Sequence, residues 1–147
     1  MTLRIRQAAR LLTLDPAGRV LLFPCQPAGQ VEYWFTPGGE VEDGESLADA
    51  ARRECREETG HHIADPGPVV ACRSFELTLL DGERVRAVEH FHLVRLEHAR
   101  LDDAGWTEVE RQVMGRGRWW SPAELAASGE RYFPEDLLAM LAEASAG

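Results

Sequence analysis

Glu54, Glu57 and Glu58 stand at spacings that put three carboxylates on one side of a single helix. An α-helix turns roughly 100° per residue, so the three fall within a sector about 100° wide. That grouping carries two penalties. Glu54 and Glu58, one turn apart, repel by about 0.2–0.5 kcal/mol. Acidic side chains in the last turn, just before Gly60, also oppose the negative end of the helix dipole. A solvated acidic face is the ordinary reading of such a cluster. A bound divalent cation is the reading that removes both penalties, because converging hard oxygen ligands are what Mg²⁺ accepts. The surrounding residues decide between the two.

Pro37-Gly38-Gly39, upstream of the carboxylates, cannot continue a strand and supplies backbone freedom for a tight loop, where chain approaches an anion or metal closely. Ser46 with Asp49 three residues on resembles a capping box and starts the helix near Leu47. Leu47, Ala48, Ala51 and Cys55 form a narrow apolar stripe beside the carboxylates, and the alanines allow close packing on a sheet. Gly60 is placed to end the helix in the left-handed conformation. Arg53, one turn before Glu57, can hold that carboxylate in place; an ordinary surface ion pair is the alternative.

The stretch from Gly39 to His61 resembles the signature of the Nudix hydrolase family, G-x5-E-x7-R-E-U-x-E-E-x-G-U with U a bulky aliphatic. Gly39, Glu45, Arg53, Glu54, Glu57, Glu58 and Gly60 occupy its fixed positions. Cys55 and His61 depart at the two aliphatic positions, and Ile63 is placed to do the packing that His61 cannot. Outside residues 39–61 the likeness is looser, resting on Pro37-Gly38-Gly39 and Arg118-Trp119-Trp120-Ser121.

The resemblance implies a single Nudix domain over residues 1–147, an α/β/α sandwich around a mixed β-sheet. It implies Mg²⁺-dependent hydrolysis of a diphosphate linkage in a nucleoside diphosphate joined to a group X, with Mn²⁺ an acceptable substitute. Glu57 and Glu58 are then the chief metal ligands, Glu54 a ligand or the base that orients water, and Gly39 the source of a backbone carbonyl. Glu45 is expected to pair with an arginine of the helix. Glu110, ahead of the Arg-Trp-Trp segment, stands where related sequences place a further catalytic carboxylate, with Glu108 and Glu89 as competitors and a plain surface glutamate as the alternative. Gly105, Gly115 and Gly117 mark that segment as one able to close over substrate.

Composition limits the partners. The net charge is −9, and all sixteen basic residues are arginine. An acidic chain is a poor match to long nucleic acid. It suits a small phosphorylated substrate once metal ions neutralise the local field, with arginine forks available for phosphate. Aliphatic runs such as Val20-Leu21-Leu22-Phe23 are far shorter than the roughly 20 residues that span a bilayer, so no membrane partner is expected. The start MTLRIRQAARLL does not read as a signal peptide. Cys25, Cys55 and Cys72 form no CxxC pair and read as reduced thiols, which fits a cytoplasmic protein. A homodimer stays open.

The elements that must position these residues follow from pattern. Leu3–Leu14 and Arg19–Cys25 read as strands joined by the turn Asp15-Pro16-Ala17-Gly18, and Tyr33–Thr36 as a short aromatic strand leading into the glycine loop. Val69–Leu80 and Arg84–Leu96 read as a hairpin around Asp81-Gly82. Trp106–Gly117 fits strand, loop or short helix. Ser121-Pro122 opens a helix, and Pro134–Ala144 carries the last one. Strands with helices between and after them give an α/β class.

Other side chains have duller readings. His90 and His92 alternate on a strand and share a face, but a zinc site needs ligands that the sequence does not place. His61-His62 reads as the end of the helix. Trp119 and Trp120 read as core and pocket-rim aromatics, while Trp34, Phe75, Tyr132 and Phe133 are candidates to stack on a base or simply bury area. Within the family, neither proline nor tyrosine stands about sixteen residues after the signature, where Leu77 falls, which weakens ADP-ribose and dinucleoside polyphosphate substrates. Nucleoside triphosphates and nucleotide sugars stay open. Two rival classes are a nucleotide-binding sensor, which should have lost signature carboxylates, and a diphosphate-ester isomerase, for which Cys72 is the candidate cysteine.

Overall fold

The computed structural model describes residues 2–79 and 81–146. Its elements run β1 (Arg4–Leu14), β2 (Val20–Cys25), β3 (Tyr33–Phe35), β4 (Gly38–Glu40), α1 (Leu47–Thr59), β5 (Val69–Thr78), β6 (Arg84–Arg95), α2 (Glu108–Val113), β7 (Arg118–Trp120), α3 (Pro122–Ala127), β8 (Tyr132–Phe133) and α4 (Leu137–Ala146). The strands form one mixed sheet in the order β5-β6-β1-β2-β3-β8, with β4 on β1 and β7 on β2.

β1 is the spine of the molecule. It pairs in parallel with β6 along its whole length, from Arg4↔Val85 to Leu14↔Arg95. Its alternation feeds two cores. Ala9 and Leu11 face α1 and pack with Ala50, Ala51, Cys55, Val94 and Leu96. Leu12 and Leu14 face the other way, into a cluster with Phe91, Trp120, Leu125 of α3, and Leu137, Met140 and Leu141 of α4. A strand buried on both faces loses the simple apolar–polar alternation, and residues 11–14 are all buried. The result is the expected three-layer sandwich. No helix among the described residues is long and apolar enough to cross a membrane.

β2 meets β1 only where Leu14 pairs Val20. The Asp15 carboxylate closes that turn by accepting from the backbone N–H groups of Ala17 (3.0 Å) and Arg19 (2.8 Å). Beyond it the two strands diverge, and β4 takes the edge of β1 instead, at Ala8↔Glu40, Ala9↔Gly39 and Arg10↔Gly38. The glycine loop therefore runs as a short strand, contrary to expectation. The reason is close approach: Gly38 has φ +134°, and a Cβ there would meet the Ala9 carbonyl and lie 2.8 Å from the Arg10 Cα.

α1 begins and ends as its sequence dictates. The Ser46 side chain accepts from the Asp49 N–H at 3.0 Å, and Gly60 at φ +81° donates to the Arg56 carbonyl. Ala50 and Ala51 are fully buried, so the helix lies close on the sheet; an Ala51→Leu change would overpack by about 1–3 kcal/mol. Ile63 packs against this core while His61 Nε2 bonds the Arg100 carbonyl at 2.6 Å, as the departure at position 61 required.

The hairpin around Asp81-Gly82 is present, with Thr78 opposite Arg84; Leu80, expected at its first strand's end, lies outside the described residues. Two short strands, β7 and β8, escaped the pattern. Each has three residues or fewer and exists by pairing with β2 and β3. The ambiguous Trp106–Gly117 stretch contains α2, opened by a full capping box between Thr107 and Glu110.

Candidate active site

The site lies at the mouth where β1 and β2 diverge, with α1 across it. Glu54 is 7% exposed and Glu58 3%, so both carboxylates are buried within one turn of each other. Glu57, beside them, is half-buried. Burial, then the neighbouring Glu54 carboxylate, pushes the Glu58 carboxyl well above the usual range, against the opposing pull of Arg10. Burial followed by Glu54 also raises Glu57, with Arg53 working the other way.

Arg53 organises the cluster. Its Nε and Nη2 donate to the two Glu45 oxygens at 2.8 and 2.9 Å, a bidentate pair. Nη1 reaches Glu54 at 2.9 Å and Glu57 at 3.4 Å, while Nη2 also donates to the Glu40 carbonyl at 2.9 Å. Glu45 is thus the arginine's partner, as expected, and the arginine holds its carboxyl below the ordinary carboxylate range. The contact to Glu57 proposed from spacing is present but is the longest of the set.

The glycine loop completes the floor. A Cβ on Gly39 would lie 2.8 Å from Glu54 Cδ, so only glycine lets that carboxylate sit where it does. The Gly38 N–H donates to both Glu58 oxygens at 3.3 Å. The ladder bonds Leu11 N–Pro37 O (2.9 Å) and Val41 N–Gln7 O (2.8 Å) put Ala9 and Gly39 on the hydrogen-bonded step between them. The Gly39 carbonyl, expected to face a metal, is therefore turned toward β1. Gly38, on the alternate step, presents its backbone to Glu58.

Glu110 has two relations. Its Oε1 accepts the Thr107 N–H at 2.8 Å in the capping box, and its charge is among those raising Glu57 and Glu58. Glu108 is exposed at the start of α2. Glu89 is paired with arginines, 3.0 Å from Arg10 Nε and 3.9 Å from Arg73. The segment carrying Glu110 is fastened to α1: Asp102 N–H donates to the Thr59 carbonyl (3.0 Å) and the Trp106 indole to the Glu58 carbonyl (3.1 Å). Gly105, Gly115 and Gly117 mark tight packing against Glu57, Gln26 and Leu21–Phe23 rather than unusual backbone angles.

Among the described residues no three His, Cys, Asp or Glu side chains form a preformed metal cage. The donor chemistry nevertheless fits a hard divalent ion. Glu54 and Glu58 are buried acids set against glycine backbone, with one guanidinium shared among Glu45, Glu54 and Glu57. The zinc reading finds no support: His90 bonds Gln7 (2.6 Å) and His92 the Gly67 carbonyl (3.0 Å).

Arg10 is a site residue that the sequence reading missed. Its Nη1 donates to the Thr36 carbonyl at 3.2 Å and its side chain covers Gly38. The available signal was a charge interrupting the apolar run Ala8-Ala9-Arg10-Leu11-Leu12. Of the aromatics, Trp120 is core and Trp119 half-buried at a cavity rim, as expected. Trp34 is buried edge-on against Trp120 at 5.1 Å, which removes it as a stacking platform.

A buried carboxylate helix beneath a glycine strand, in an α/β/α sandwich, defines the class of protein. The family model for the NUDIX domain matches residues 4–141, and the chain belongs to the Nudix family. A putative 8-oxo-dGTP diphosphatase of Bacillus subtilis is 40% identical over 58 residues, 40% of this chain and 37% of that protein. An uncharacterized Nudix hydrolase of the same organism, YvcI, is 53% identical over 34 residues, covering 23% of this chain and 22% of the relative. The matches thus span well under half the length of these curated relatives. The fold is shared more fully. A MutT protein from Methanosarcina mazei superposes with TM-score 0.69 at 21% identity, covering 100% of this chain and 99% of the other. The E. coli ORF135 protein gives 0.67 at 26% identity, over 98% and 91%.

Proposed function

We propose that the protein is a hydrolase that cleaves the diphosphate linkage of a small nucleoside diphosphate derivative, with Mg²⁺ or Mn²⁺ held by Glu54, Glu57 and Glu58. The observation that carries this reading is the pair of buried carboxylates Glu54 and Glu58, one turn apart and set against glycine backbone. Membership of the Nudix family supports it. The partial match to a putative 8-oxo-dGTP diphosphatase favours a nucleoside triphosphate as one candidate substrate.

When bound, the ions neutralise phosphate oxygens and lower the pKa of attacking water. The chain's own residues do the positioning. Arg53 fixes Glu45 and Glu54, Gly38 fixes Glu58, and Gly38 rather than Gly39 supplies the backbone nearest that carboxylate. Glu110 is the candidate to take the proton from water, through the carboxyl oxygen that does not cap α2. Water forms the new P–O bond and the anhydride P–O bond breaks, giving a nucleoside monophosphate plus X-phosphate, or pyrophosphate from a triphosphate.

Incubation with Mg²⁺ and a broad nucleotide panel, with products resolved, tests this. Reaction in ¹⁸O-water should place label on one phosphorus, and orthophosphate as sole primary product from a triphosphate would overturn the reading. Retention of every signature carboxylate argues against the sensor alternative.

A further inference from the structure

We infer that Arg10 is a positioning residue for the Glu58 carboxylate, acting through the backbone of Thr36-Pro37-Gly38. This rests on the hydrolase reading above and names what keeps one of its acidic groups in place. The stretch has little of its own to hold it. Pro37 has no N–H, and pairing of β4 with β1 begins only at Gly38. Two carbonyl contacts tie it to β1: Pro37 O accepts from the Leu11 N–H at 2.9 Å, and Thr36 O from Arg10 Nη1 at 3.2 Å. The stretch ends on the Gly38 N–H, which donates to both Glu58 oxygens at 3.3 Å. Those bonds stand at the long end of the hydrogen-bond range, so a small displacement of Gly38 loses them. Arg10 also packs on Gly38 directly, its Cδ lying 2.9 Å from where a Cβ would stand.

A purely structural role does not account for a charge at this position. The Arg10 and Glu89 side chains are 20% and 12% exposed and meet at 3.0 Å, on a strand whose neighbouring positions are apolar. Desolvating two such charges costs about what their pairing returns, and apolar side chains of similar volume often replace a pair of this kind without loss of stability. As scaffold, then, the pair has no advantage over the leucines that follow it on β1. What an apolar side chain cannot supply is a donor for the Thr36 carbonyl, in a residue only 3% exposed. Glu89 serves that bond by accepting from Nε, which fixes the planar guanidinium while Nη1 donates to Thr36. Arg73, 3.9 Å from the other Glu89 oxygen, holds the acid from β5. The order of action runs from Glu89 to Arg10, to the Thr36 carbonyl, to the Gly38 N–H and so to Glu58.

The paired substitution Arg10→Met with Glu89→Leu tests this. It leaves net charge unchanged, keeps side-chain bulk over Gly38, avoids stranding a buried Glu89, and should hold the melting temperature near wild type. In the metal-free protein the Gly38 amide should exchange about tenfold faster in this variant, with Ala50 and Ala51 of α1 at wild-type rates. Mn²⁺ affinity, read by electron paramagnetic resonance titration, should fall about tenfold and recover in part in the single variant Arg10→Lys, which keeps a donor and the charge. In turnover, kcat should fall by a similar factor with KM within about twofold. Wild-type exchange at Gly38 in the double variant overturns the positioning role, as does wild-type Mn²⁺ affinity. A raised KM at unchanged kcat also overturns it, making Arg10 a substrate contact. Exchange that quickens equally at Gly38, Ala50 and Ala51 overturns it in favour of plain scaffolding. Gly38 exchange that depends on Arg10, in a protein that turns over no nucleotide, supports the positioning role and overturns the hydrolase reading instead.

Discussion

Two short helices carry acidic side chains into the same mouth, and they treat them oppositely. In α1 Glu54 and Glu58 are buried and Glu57 half-buried, and burial together with the Glu54 charge pushes Glu57 and Glu58 toward their protonated forms in spite of Arg53 and Arg10. In α2 Glu110 does local work, closing a capping box with Thr107, and no residue of that helix is buried. A carboxylate with a structural occupation explains itself; one that raises the energy of its own fold points to something outside the fold.

The largest effect should come from α1. EDTA should abolish turnover and Mg²⁺ or Mn²⁺ restore it, and Glu58→Gln should lower kcat by at least about a hundredfold. Full turnover in EDTA would remove the metal from this account. The same substitution should raise the melting temperature of the metal-free protein at neutral pH. The sign follows from linkage: the folded pKa of Glu58 lies above its unfolded value, so the folded state binds more protons between the two, and stability falls as pH climbs through that window. Metal-free wild type should therefore melt progressively lower from about pH 5 upward, and Glu58→Gln should flatten the curve. Added Mg²⁺ should stabilise wild type and not the variant.

Next is α2. Glu110→Gln keeps the cap, since glutamine serves equally at that position, and so isolates the charge. If Glu110 takes the proton from water, kcat should fall about 10²-fold or more with KM and melting temperature nearly unchanged. Glu108→Gln should be nearly silent. A damaging Glu108→Gln would exchange the two roles. Wild-type turnover in both variants would move the base into α1, with Glu54 leading.

Arg53→Lys sits between the helices in effect. A point charge cannot span both Glu45 oxygens and Glu54 together. Loss of two or three charge-assisted bonds should cost about 2 kcal/mol in urea unfolding and roughly tenfold in kcat. The smallest test compares the caps. Ser46→Ala and Thr107→Ala each remove one side-chain bond to a helix N–H, worth about 1 kcal/mol. Cap loss at α1 should lower the global melting temperature, whereas cap loss at α2 should appear chiefly as faster amide exchange within Glu108–Val113.

The same contrast governs what could be read from sequence. α1 was legible to its end residues because its cap, apolar stripe and terminal glycine are all local. That Glu45 pairs with a helix arginine was expected, but not that Arg53 is the one, since Glu45 precedes the Ser46 cap and reaches Arg53 through the loop rather than by helix periodicity. β4, β7 and β8 were not legible, since they are defined by their pairing with β1, β2 and β3, distant in the chain. Arg10 escaped for the same reason: its role depends on Thr36 and Gly38, which reach it only through sheet pairing. The turn of the Gly39 carbonyl toward β1 is a matter of register, which no composition rule reveals.

The fastening of the 102–106 segment has a consequence for anyone who edits this site. Its three attachments grip the main chain of α1: the Thr59 carbonyl, the Glu58 carbonyl, and the Glu57 backbone under Gly105. The jig clamps the rail and leaves the tools free. Side chains at 57 and 58 can be exchanged without loosening the loop that carries the opposite wall, so chemistry at these positions is separable from architecture.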